Sequence, residues 1–414
     1  MHLAQPVVTV VTPSYNQGRF IRATIESVLS QDYPHVEYIV MDGGSTDDTA
    51  SVVKDYASRL TFVSENDRGQ SHAINKGFQR GKGTLLSWLN SDDLYLPGAI
   101  RAAVEGFKRN PLAGAVYGEG YLIDGDGAIT RRFPWTEPIN LWKLMHLSDY
   151  ILQQTVFFRR DVLDDVGYLD EDLNFTMDWD VLIRIGCKYP LEYIPLFMGC
   201  LREHGEAKTS AGGVERVREL GRLLRHHTGL RLPPGHIVYG LDTYQKICCE
   251  WTERLFPSSL KPVSNLVQSL VGLMAGSVIA HTIQHSQGLH ADGWASRRLY
   301  YALPPGKGSL VIQGDMPDWP SLRAQKLSIV ANGRHLGKFA VPNGDFELKV
   351  EVPQQLERQM LRLRIDAHRA IQNWISNTDG GRRRLAYRLK SIGWSGQDAA
   401  DRVSRDLEPV SAQA

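Results

Sequence analysis

The sequence is poor in cysteine, and its four cysteines form no recognisable site. Cys187, Cys200, Cys248 and Cys249 show neither a C-x-x-C pair nor the spacing of zinc ligands. Four cysteines are also few for a secreted protein held together by disulfides. The N-terminal segment lacks the basic region and apolar run of a secretion signal. These features predict a protein of the reducing cytosol.

A large net charge of either sign is also missing. The 47 Lys and Arg residues nearly cancel the 46 Asp and Glu residues, which leaves a formal net charge of +1. Such a balance creates no overall field that would attract nucleic acid or acidic lipid. We therefore predict no nucleic-acid partner, and an anionic ligand must be recognised by a local cluster of residues.

Two common nucleotide-binding motifs are absent. Neither G-x-G-x-x-G after the first predicted strand nor G-x-x-x-x-G-K-[ST] occurs. The loop after that strand instead reads Pro13-Ser14-Tyr15-Asn16. These absences argue against a dinucleotide-dependent oxidoreductase and against a P-loop nucleotidase.

Long apolar runs are scarce, and the most apolar stretch covers residues 265–283. It is about long enough to cross a bilayer. It nevertheless contains Asn265, Gln268 and His281, and polar side chains are uncommon in helices that face lipid. We predict a buried or amphipathic helix, with a helix lying on a membrane surface as the second alternative and a spanning helix as the third.

What the chain does contain, over its first ninety residues, is an alternation of strand and helix patterns. Short apolar, strand-like runs cover residues 7–11, 38–41, 60–63 and 85–89, and the first two are rich in β-branched residues. After the first run, apolar residues recur at helical spacing at Ile21, Ile25, Val28 and Leu29. A second helix is predicted to begin at Ser45-Thr46-Asp47-Asp48, which resembles a capping box. The alternation predicts an α/β fold with a mostly parallel sheet, whose ligands bind at the carboxyl ends of the strands.

The length of 414 residues predicts two or three domains. We place an α/β domain at residues 1–205 and a helical connector at 206–287. Residues 288–397 contain strand-like runs separated by turns such as Asn332-Gly333, which predicts a C-terminal β-sandwich. Residues 398–414 are polar and predict a flexible tail.

Acidic residues follow the predicted strands. Asp92 and Asp93 come directly after residues 85–89, where carboxylates can bind a divalent cation that also contacts substrate phosphates. An acidic turn gives the same pattern, so the pair alone is a weak signal. Asp42 precedes Gly43-Gly44, and a nucleotide site and a helix-capping turn explain it equally well.

Asp178 and His204 are two further candidates. Asp178 lies near the start of a predicted helix, where it could serve as a general base if it faces the cleft. Its spacing alone favours an acid at the positive end of a helix dipole. His204 lies in a basic segment with Arg202 that suits an anionic ligand, and a solvated loop is the alternative.

Taken together, six motifs in order resemble the family 2 glycosyltransferases. They are TPSYN at 12–16, ESVLSQ at 26–31, DGGSTD at 42–47, DRG at 67–69 with NKG at 75–77, NSDD at 90–93 and MDWD at 177–180. The resemblance covers residues 6–205 and implies the nucleotide-sugar-binding fold called GT-A.

The resemblance also implies roles for single residues. Those that would border the nucleotide, its diphosphate or its sugar are Pro13, Ser14, Tyr15, Asn16, Asp42, Asp67, Gly69, Asn90, Asp92 and His204. Asp92, with Asp93 beside it, would bind Mn²⁺ or Mg²⁺ with the diphosphate, and His204 would lie near the metal or the pyrophosphate. Asp178 would be the base that deprotonates the acceptor. Asn90 stands where the family often has the first Asp of D-x-D, and this lowers the negative charge of the predicted metal site.

The resemblance thus implies an inverting transfer of a sugar from a nucleoside diphosphate sugar, with uridine diphosphate sugars favoured. The acceptor would be a hydroxyl of a glycan or lipid-linked glycan in bacterial surface polysaccharide or lipopolysaccharide assembly. The setting would be the cytoplasm at the inner face of the membrane, with peripheral membrane contact left open.

Two alternatives differ in mechanism. A processive polysaccharide synthase of the same superfamily is disfavoured because no Q-x-x-R-W segment occurs. A non-catalytic nucleotide-sugar or glycan-binding protein, in which the sandwich performs the recognition, is the alternative from another functional class.

Overall fold

The computed structural model describes residues 5–205, 212–256, 261–290, 293–318, 322, 325–373 and 383–395. The chain divides into two compact units. Unit 1 comprises Met1–Ile139 and Ser148–His236, and unit 2 comprises Asn140–Leu147 and Ile237–Ala414. The predicted tail, residues 398–414, lies outside the described residues.

The described part of unit 1 contains a nine-stranded sheet. Its strands are β1 Val8–Ser14, β2 Val36–Asp42, β3 Thr61–Ser64, β4 Leu85–Trp88, β5 Leu94–Tyr95, β6 Ala115–Ile123, β7 Ile129–Arg132, β8 Phe157–Arg159 and β9 Leu191–Arg202. The order is β3-β2-β1-β4-β8-β6-β9-β5, and β7 pairs with β6. The first four strands are parallel, as are β6 and β9. The predicted parallel run β1 to β4 is confirmed, and antiparallel pairs enter further along the sheet.

Helices cover the sheet of unit 1. They are α1 Gly18–Leu29, α2 Thr49–Lys54, α3 Gln70–Arg80, α4 Ala99–Arg109, α6 Arg160–Val166, α7 Met177–Gly186 and α8 Gly213–Thr228, while α5 Leu141–His146 belongs to unit 2. The apolar residues predicted for α1, including Ile21, Ile25 and Val28, pack in a buried core with Val8 and Val10 of β1. The alternation of the sequence therefore produces the predicted layered fold.

The predicted start of the second helix is wrong by four residues. Helix α2 begins at Thr49, and the residue before it, Asp48, makes no side-chain capping bond. Ser45 instead donates a hydrogen bond to Asp42, and the Asp47 carboxylate accepts one from the backbone N–H of Gly18. The polar residues of this segment are used to join two loops, and for that reason they do not start the helix.

Unit 2 contains the predicted β-sandwich. Its strands are β10 Trp294–Ala295, β11 Arg298–Leu303, β12 Leu310–Met316, β13 Gln325–Ala331, β14 Arg334–Val341, β15 Gly344–Val350, β16 Leu361–Ala367, β17 Ile371–Asn373, β18 Arg383–Leu385 and β19 Tyr387–Trp394, with the short helix α11 at Gln354–Glu357. Two antiparallel sheets, β10-β19-β12-β15 and β11-β16-β13-β14, share one buried core. The turn Asn332-Gly333 has φ of +47° and +80°, as a tight hairpin requires.

Two long helices precede the sandwich, α9 Pro234–Leu255 and α10 Lys261–Ser286. Helix α10 contains the apolar stretch and is long and apolar enough to cross a membrane by length and composition. Only 6% of its most apolar 18-residue window is buried. The buried alternative predicted for this stretch is therefore wrong.

Candidate active site

The site begins with the loops at the carboxyl ends of β1 to β4. Because these strands are parallel neighbours, their following loops lie at one edge of the sheet. The loops carry the predicted residues 13–16, 42–47, 67–69 and 90–93. The sequence prediction that polar clusters meet at this edge is confirmed by the strand order.

Asn16 joins the first loop to the second. It has a positive φ of 53°, and its backbone N–H donates to Ser45 Oγ at 2.8 Å. Its side-chain Oδ1 accepts from the backbone N–H of Thr46 at 2.9 Å. These bonds fix the loop while the ring of Tyr15 is left 61% exposed. Tyr15 can therefore contact a ligand, whereas Asn16 shapes the loop, and Pro13 and Ser14 are buried at the end of β1.

Asp42 is buried, and its carboxylate accepts hydrogen bonds from neighbouring residues of the protein. Oδ1 accepts from Ser45 Oγ at 2.5 Å, and Oδ2 accepts from Ser64 Oγ at 2.6 Å and from the Ser45 backbone N–H at 3.1 Å. The carboxylate thus ties the β2 loop to the end of β3. Direct contact of Asp42 with a base or ribose stays a prediction.

Asp67 and Gly69 form the third loop. Asp67 Oδ1 accepts from the Gly69 backbone N–H at 2.8 Å, and a Cβ placed on Gly43 would lie 2.7 Å from Asp67 Oδ2. Gly69 has a φ of +118°, which only glycine adopts without strain, and a Cβ built on it would have no neighbour within 4 Å. The loop therefore leaves open space before the first turn of α3.

Asn90 links the acidic loop to α3. Its Oδ1 accepts from Gln70 Nε2 at 2.7 Å, and its Nδ2 donates to Asp93 Oδ2 at 3.0 Å. An aspartate at this position could not donate the second bond. Asn90 thus has a structural reason for replacing the acid that the family often carries.

Asp93 faces into the protein. It is buried, and its carboxylate accepts from the Arg202 backbone N–H at 2.9 Å and from Gln154 Nε2 at 2.6 Å, in addition to Asn90. Burial, followed by the neighbouring Asp92, raises the pKa of Asp93 to about 8. This geometry favours a role in holding the loop over the predicted direct contact with a metal.

Asp92 and His204 meet where the acidic loop reaches the end of β9. Asp92 Oδ2 lies 3.0 Å from His204 Nε2, and the two side chains are 20% and 9% exposed. Arg202 Nε donates to the Asp92 carbonyl at 2.7 Å, and the ring of Phe20 lies 4.8 Å from the His204 ring. These contacts place a carboxylate oxygen and an imidazole nitrogen side by side at a partly accessible position.

This pair fits a divalent cation that is shared with a substrate. Within the described residues, no cluster of three or more His, Cys, Asp or Glu side chains is arranged to hold a metal. A cation bound through a diphosphate, however, needs only one or two protein ligands. Carboxylate and imidazole are both accepted by Mn²⁺, so Asp92 and His204 supply a suitable donor set.

Asp178 is the second residue of α7, as predicted. Its Oδ1 accepts from the Trp179 backbone N–H at 2.8 Å, and its side chain is half-buried. Burial, followed by the charge of Asp178, raises the pKa of Asp149 well above its usual range. Asp149 therefore lies close enough to Asp178 for the two carboxylates to influence each other. Sequence patterns gave no reason to select Asp149.

Glu219 is a further residue that the sequence patterns did not select. It is buried on α8, and its carboxylate accepts from the backbone N–H groups of Asn174, Phe175 and Thr176 at 2.7 to 2.9 Å. It also accepts from Thr176 Oγ1 at 2.9 Å. Glu219 thereby caps the start of α7 from another helix. The available signal was a carboxylate among the apolar residues of α8.

Residues 9–167 match the family model described as glycosyl transferase family 2. The chain carries a family 2 glycosyltransferase domain. The sheet of unit 1 is accordingly the GT-A fold that the resemblance implied.

Curated relatives of this glycosyltransferase domain include an uncharacterized glycosyltransferase of Rickettsia bellii, 28% identical over 221 residues. The match covers 51% of this chain and 32% of that protein. Chondroitin synthase of Escherichia coli is 26% identical over 193 residues, which are 46% of this chain and 28% of the synthase. The chain therefore spans about a third of the length of these two relatives.

One solved structure similar to this chain is the mannosyltransferase PcManGT of Pyrobaculum calidifontis in complex with GDP-Man and Mn²⁺. It is 18% identical, with a TM-score of 0.42, and the match covers 68% of this chain and 76% of that one.

Several residues of the site lie beyond the matched segment of the glycosyltransferase domain. The match ends at residue 167, whereas Asp178, Arg202, His204 and Glu219 follow it. Strand β9 brings Arg202 to the acidic loop, and helix α8 brings Glu219 to α7. The second half of unit 1 therefore completes the site that the motifs of the first half begin.

Proposed function

We propose that this chain is an inverting, metal-dependent glycosyltransferase that moves a sugar from a nucleoside diphosphate sugar, with uridine diphosphate sugars favoured, to an acceptor hydroxyl. The acceptor is a glycan or lipid-linked glycan of bacterial surface polysaccharide or lipopolysaccharide assembly, and the reaction takes place in the cytoplasm at the inner face of the membrane. The observation that carries the proposal is the meeting of Asp92 with His204 in a family 2 domain.

The donor binds at the loops after β1 to β4. The exposed ring of Tyr15 offers a surface for the nucleotide, and the open space at Gly69 admits a ligand close to the backbone. The bonds of Asn16 and Asp42 hold the two loops in place before the donor arrives. Preorganised loops lower the entropy that ordering would cost on binding.

Asp92 and His204 would hold the divalent cation, Mn²⁺ or Mg²⁺, while Asp93 fixes the loop that carries Asp92. A cation held there would supply positive charge to neutralise the departing diphosphate. Arg202 fixes the backbone of Asp92, so that the carboxylate is positioned without a rearrangement. This arrangement explains why the motif tolerates Asn90.

Asp178 accepts the proton of the acceptor hydroxyl as that oxygen attacks the anomeric carbon. The bond between the anomeric carbon and the diphosphate oxygen breaks in the same step, so the configuration inverts. Glu219 orients Asp178 by fixing the turn from which α7 begins. No covalent intermediate between sugar and enzyme is needed, in contrast to retaining glycosidases.

The proton-accepting role is tested by Asp178→Asn. We expect turnover to fall by roughly 10²- to 10⁴-fold, the usual contribution of a general base, while donor affinity changes little. Release of nucleoside diphosphate is measured across sugar nucleotides and saccharide acceptors, and donor binding is measured by calorimetry. Asp172→Asn, an exposed carboxylate before α7, is the control. Retention of more than about a tenth of turnover in Asp178→Asn would identify another group as the base.

The metal role is tested by Asp92→Asn in calorimetric titrations with uridine diphosphate, with manganese and then with chelator. We expect manganese to strengthen binding to the wild type and to have almost no effect on the variant, because a cation ligand is gone. Asp126→Asn, whose side chain is 95% exposed, should behave as the wild type does. Equal manganese dependence in Asp92→Asn and wild type would remove Asp92 from the metal site. Nucleotide binding without turnover on any donor would favour the non-catalytic alternative.

A further inference from the structure

Helices α9 and α10 pack as an antiparallel pair, here called the hairpin. Gln268 Nε2 of α10 donates to Thr252 Oγ1 of α9 at 2.9 Å and to the Cys249 carbonyl at 3.3 Å. The residues buried along this contact, Thr252, Ser264 and Ala275, are small or polar. Polar contacts therefore contribute to the inner face of the hairpin, and its most buried residues are small or polar.

The outer face of α10 has the opposite character. Large apolar side chains are exposed at Val263, Leu266, Leu270, Leu273, Met274, Val278 and Ile283. Leu273 and Met274 are 71% and 73% exposed. Residues 262–286 include no Asp, Glu, Lys or Arg. Apart from the exposed Asn265, Ser269, Ser277 and His281, α10 thus has small or polar residues at its buried positions and large apolar residues outside. This is the pattern of helices packed in lipid, and it is the reverse of the pattern in water.

Two hydroxyl groups of α10 are compatible with the same conclusion. Ser269 Oγ donates to the carbonyl of Asn265 at 2.8 Å, and Thr282 Oγ1 donates to the carbonyl of Val278 at 2.8 Å. Each hydroxyl is thus satisfied by the backbone of its own helix, four residues earlier. In hydrocarbon this carbonyl is the partner within reach, because no water is present.

The exposed side chains of α9 indicate how the hairpin would be oriented relative to a membrane surface. Tyr244, Trp251 and Leu255 recur at helical spacing and are exposed, whereas Asp242 and Lys246 pair on another side of the helix. Tyr and Trp favour the boundary between lipid headgroups and hydrocarbon, and paired charges remain in water. A helix with both stripes lies along the membrane surface and does not cross it.

We infer that the hairpin inserts its apolar face into one leaflet of a lipid bilayer, with α10 embedded and the charged stripe of α9 in water. A second protein copy fits this face less well, because protein interfaces surround their apolar centre with a polar rim and α10 carries no charged side chain over residues 262–286. This inference stands on the hairpin alone and does not depend on the proposed reaction.

The test is flotation of the purified full chain with vesicles of phosphatidylcholine in high salt. Neutral lipid is chosen because the apolar face has no charge with which to attract acidic lipid. We expect the wild type to float and Leu273→Asp/Met274→Asp to lose at least about tenfold in partitioning, since two charges would enter hydrocarbon. The control is Leu112→Asp, which is matched in exposure at 72% and lies in unit 1, and it should float as the wild type does.

Three results would overturn the inference. The wild type could remain at the bottom of the gradient, or the double variant could float as well as the wild type. Sedimentation without lipid could also reveal a dimer that the double variant splits, in a protein that does not float. Circular dichroism of each variant checks that it is folded. Because flotation requires no sugar nucleotide, its failure is distinct from a failure of the transferase assay.

Discussion

At the scale of single residues, Asp93 shows that an acid of a predicted metal-binding motif can stabilise the fold. It has three hydrogen-bond donors around it, from Asn90, Gln154 and Arg202, and it is 1% exposed. Asp92, its neighbour, is 20% exposed and reaches His204. The two adjacent aspartates thus differ in role: Asp93 holds the loop, whereas the carboxylate of Asp92 is accessible to a ligand.

Glu219 should affect catalysis without touching substrate, because it holds the turn before Asp178. Glu219→Gln replaces an acceptor oxygen by a donor NH₂ group opposite backbone N–H groups. We expect kcat to fall by about tenfold or more, with donor affinity nearly unchanged. Steady-state kinetics and donor calorimetry measure the two effects.

The matched control for that change is Glu215→Gln. Glu215 lies one turn earlier on the same helix, is 72% exposed and pairs with Arg218. It should leave kcat unaltered. Equal losses in both variants, or a loss in Glu219→Gln that follows only its melting temperature, would show that Glu219 has a general structural role.

At the scale of helices and strands, the buried carboxylate of Asp180 joins α7 to α8. Asp180 Oδ2 lies 2.7 Å from Arg184 Nε, and Asp180 Oδ1 lies 2.8 Å from His227 Nε2. Burial on its own would raise the pKa of Asp180, but the bonds from His227 and Arg184 outweigh it and lower this pKa. An acid with a lowered pKa stabilises the fold above its unfolded pKa, and this stability is lost as pH falls through the folded value.

Asp180→Asn should therefore destabilise the protein in a pH-dependent way. We expect a cost of roughly 2 kcal/mol at pH 7, the value of a hydrogen bond to a charged group, and a smaller difference from wild type below about pH 4. Urea unfolding at pH 7, 5 and 3.5 measures it, with the exposed Asp172→Asn as control. If the difference in unfolding free energy between Asp180→Asn and wild type stays constant down to pH 3.5, the lowered pKa does not belong to Asp180.

The elements that could be predicted from sequence are those whose pattern is local. Strands β1 to β4, helix α1 and the strands of the sandwich follow from periodicity and turn residues. The start of α2 could not, because the segment from Ser45 to Asp48 uses its polar side chains to bind the neighbouring loop. Local propensity favours a cap, and the tertiary contact outweighs it.

The site divides in the same manner. The family resemblance selected Asp92, His204 and Asp178, and the structure brings the first two within 3.0 Å. Glu219 and Asp149 were not predicted from the sequence, because the contacts that distinguish them are with residues that are distant in sequence. Burial of Asp93 escaped for the same reason, since Arg202, which covers it, comes from a strand that begins almost a hundred residues later.

At the scale of the whole molecule, each unit has a hydrophobic core of its own. Ile365 is fully buried in the sandwich core. Ile365→Ala should lower the free energy of unfolding of unit 2 by about 2–5 kcal/mol, the usual loss for a buried aliphatic side chain. It should also lower the midpoint temperature of one calorimetric transition. Binding of uridine diphosphate with manganese should raise the temperature of the other transition, which we expect to belong to unit 1.

Ile129→Ala serves as the control for this change, because Ile129 lies in unit 1 and is 58% exposed. It should leave both transitions within about 0.5 kcal/mol of the wild type. A single transition that responds both to Ile365→Ala and to nucleotide would show that the two cores unfold together.

The hydrogen bonds from Arg202 to Asp92 and Asp93 also affect the order in which the protein folds during synthesis. A chain leaves the ribosome from its N-terminus, and early segments begin to fold before later ones exist. The acidic loop at residues 90–93 is therefore synthesised long before Arg202 and His204, and longer still before Glu219. Until β9 emerges, Asp92 and Asp93 are two like charges without their partners. The proposed active site should therefore be one of the last parts of unit 1 to assemble, and a nascent chain stalled before β9 would carry the motifs without the complete site.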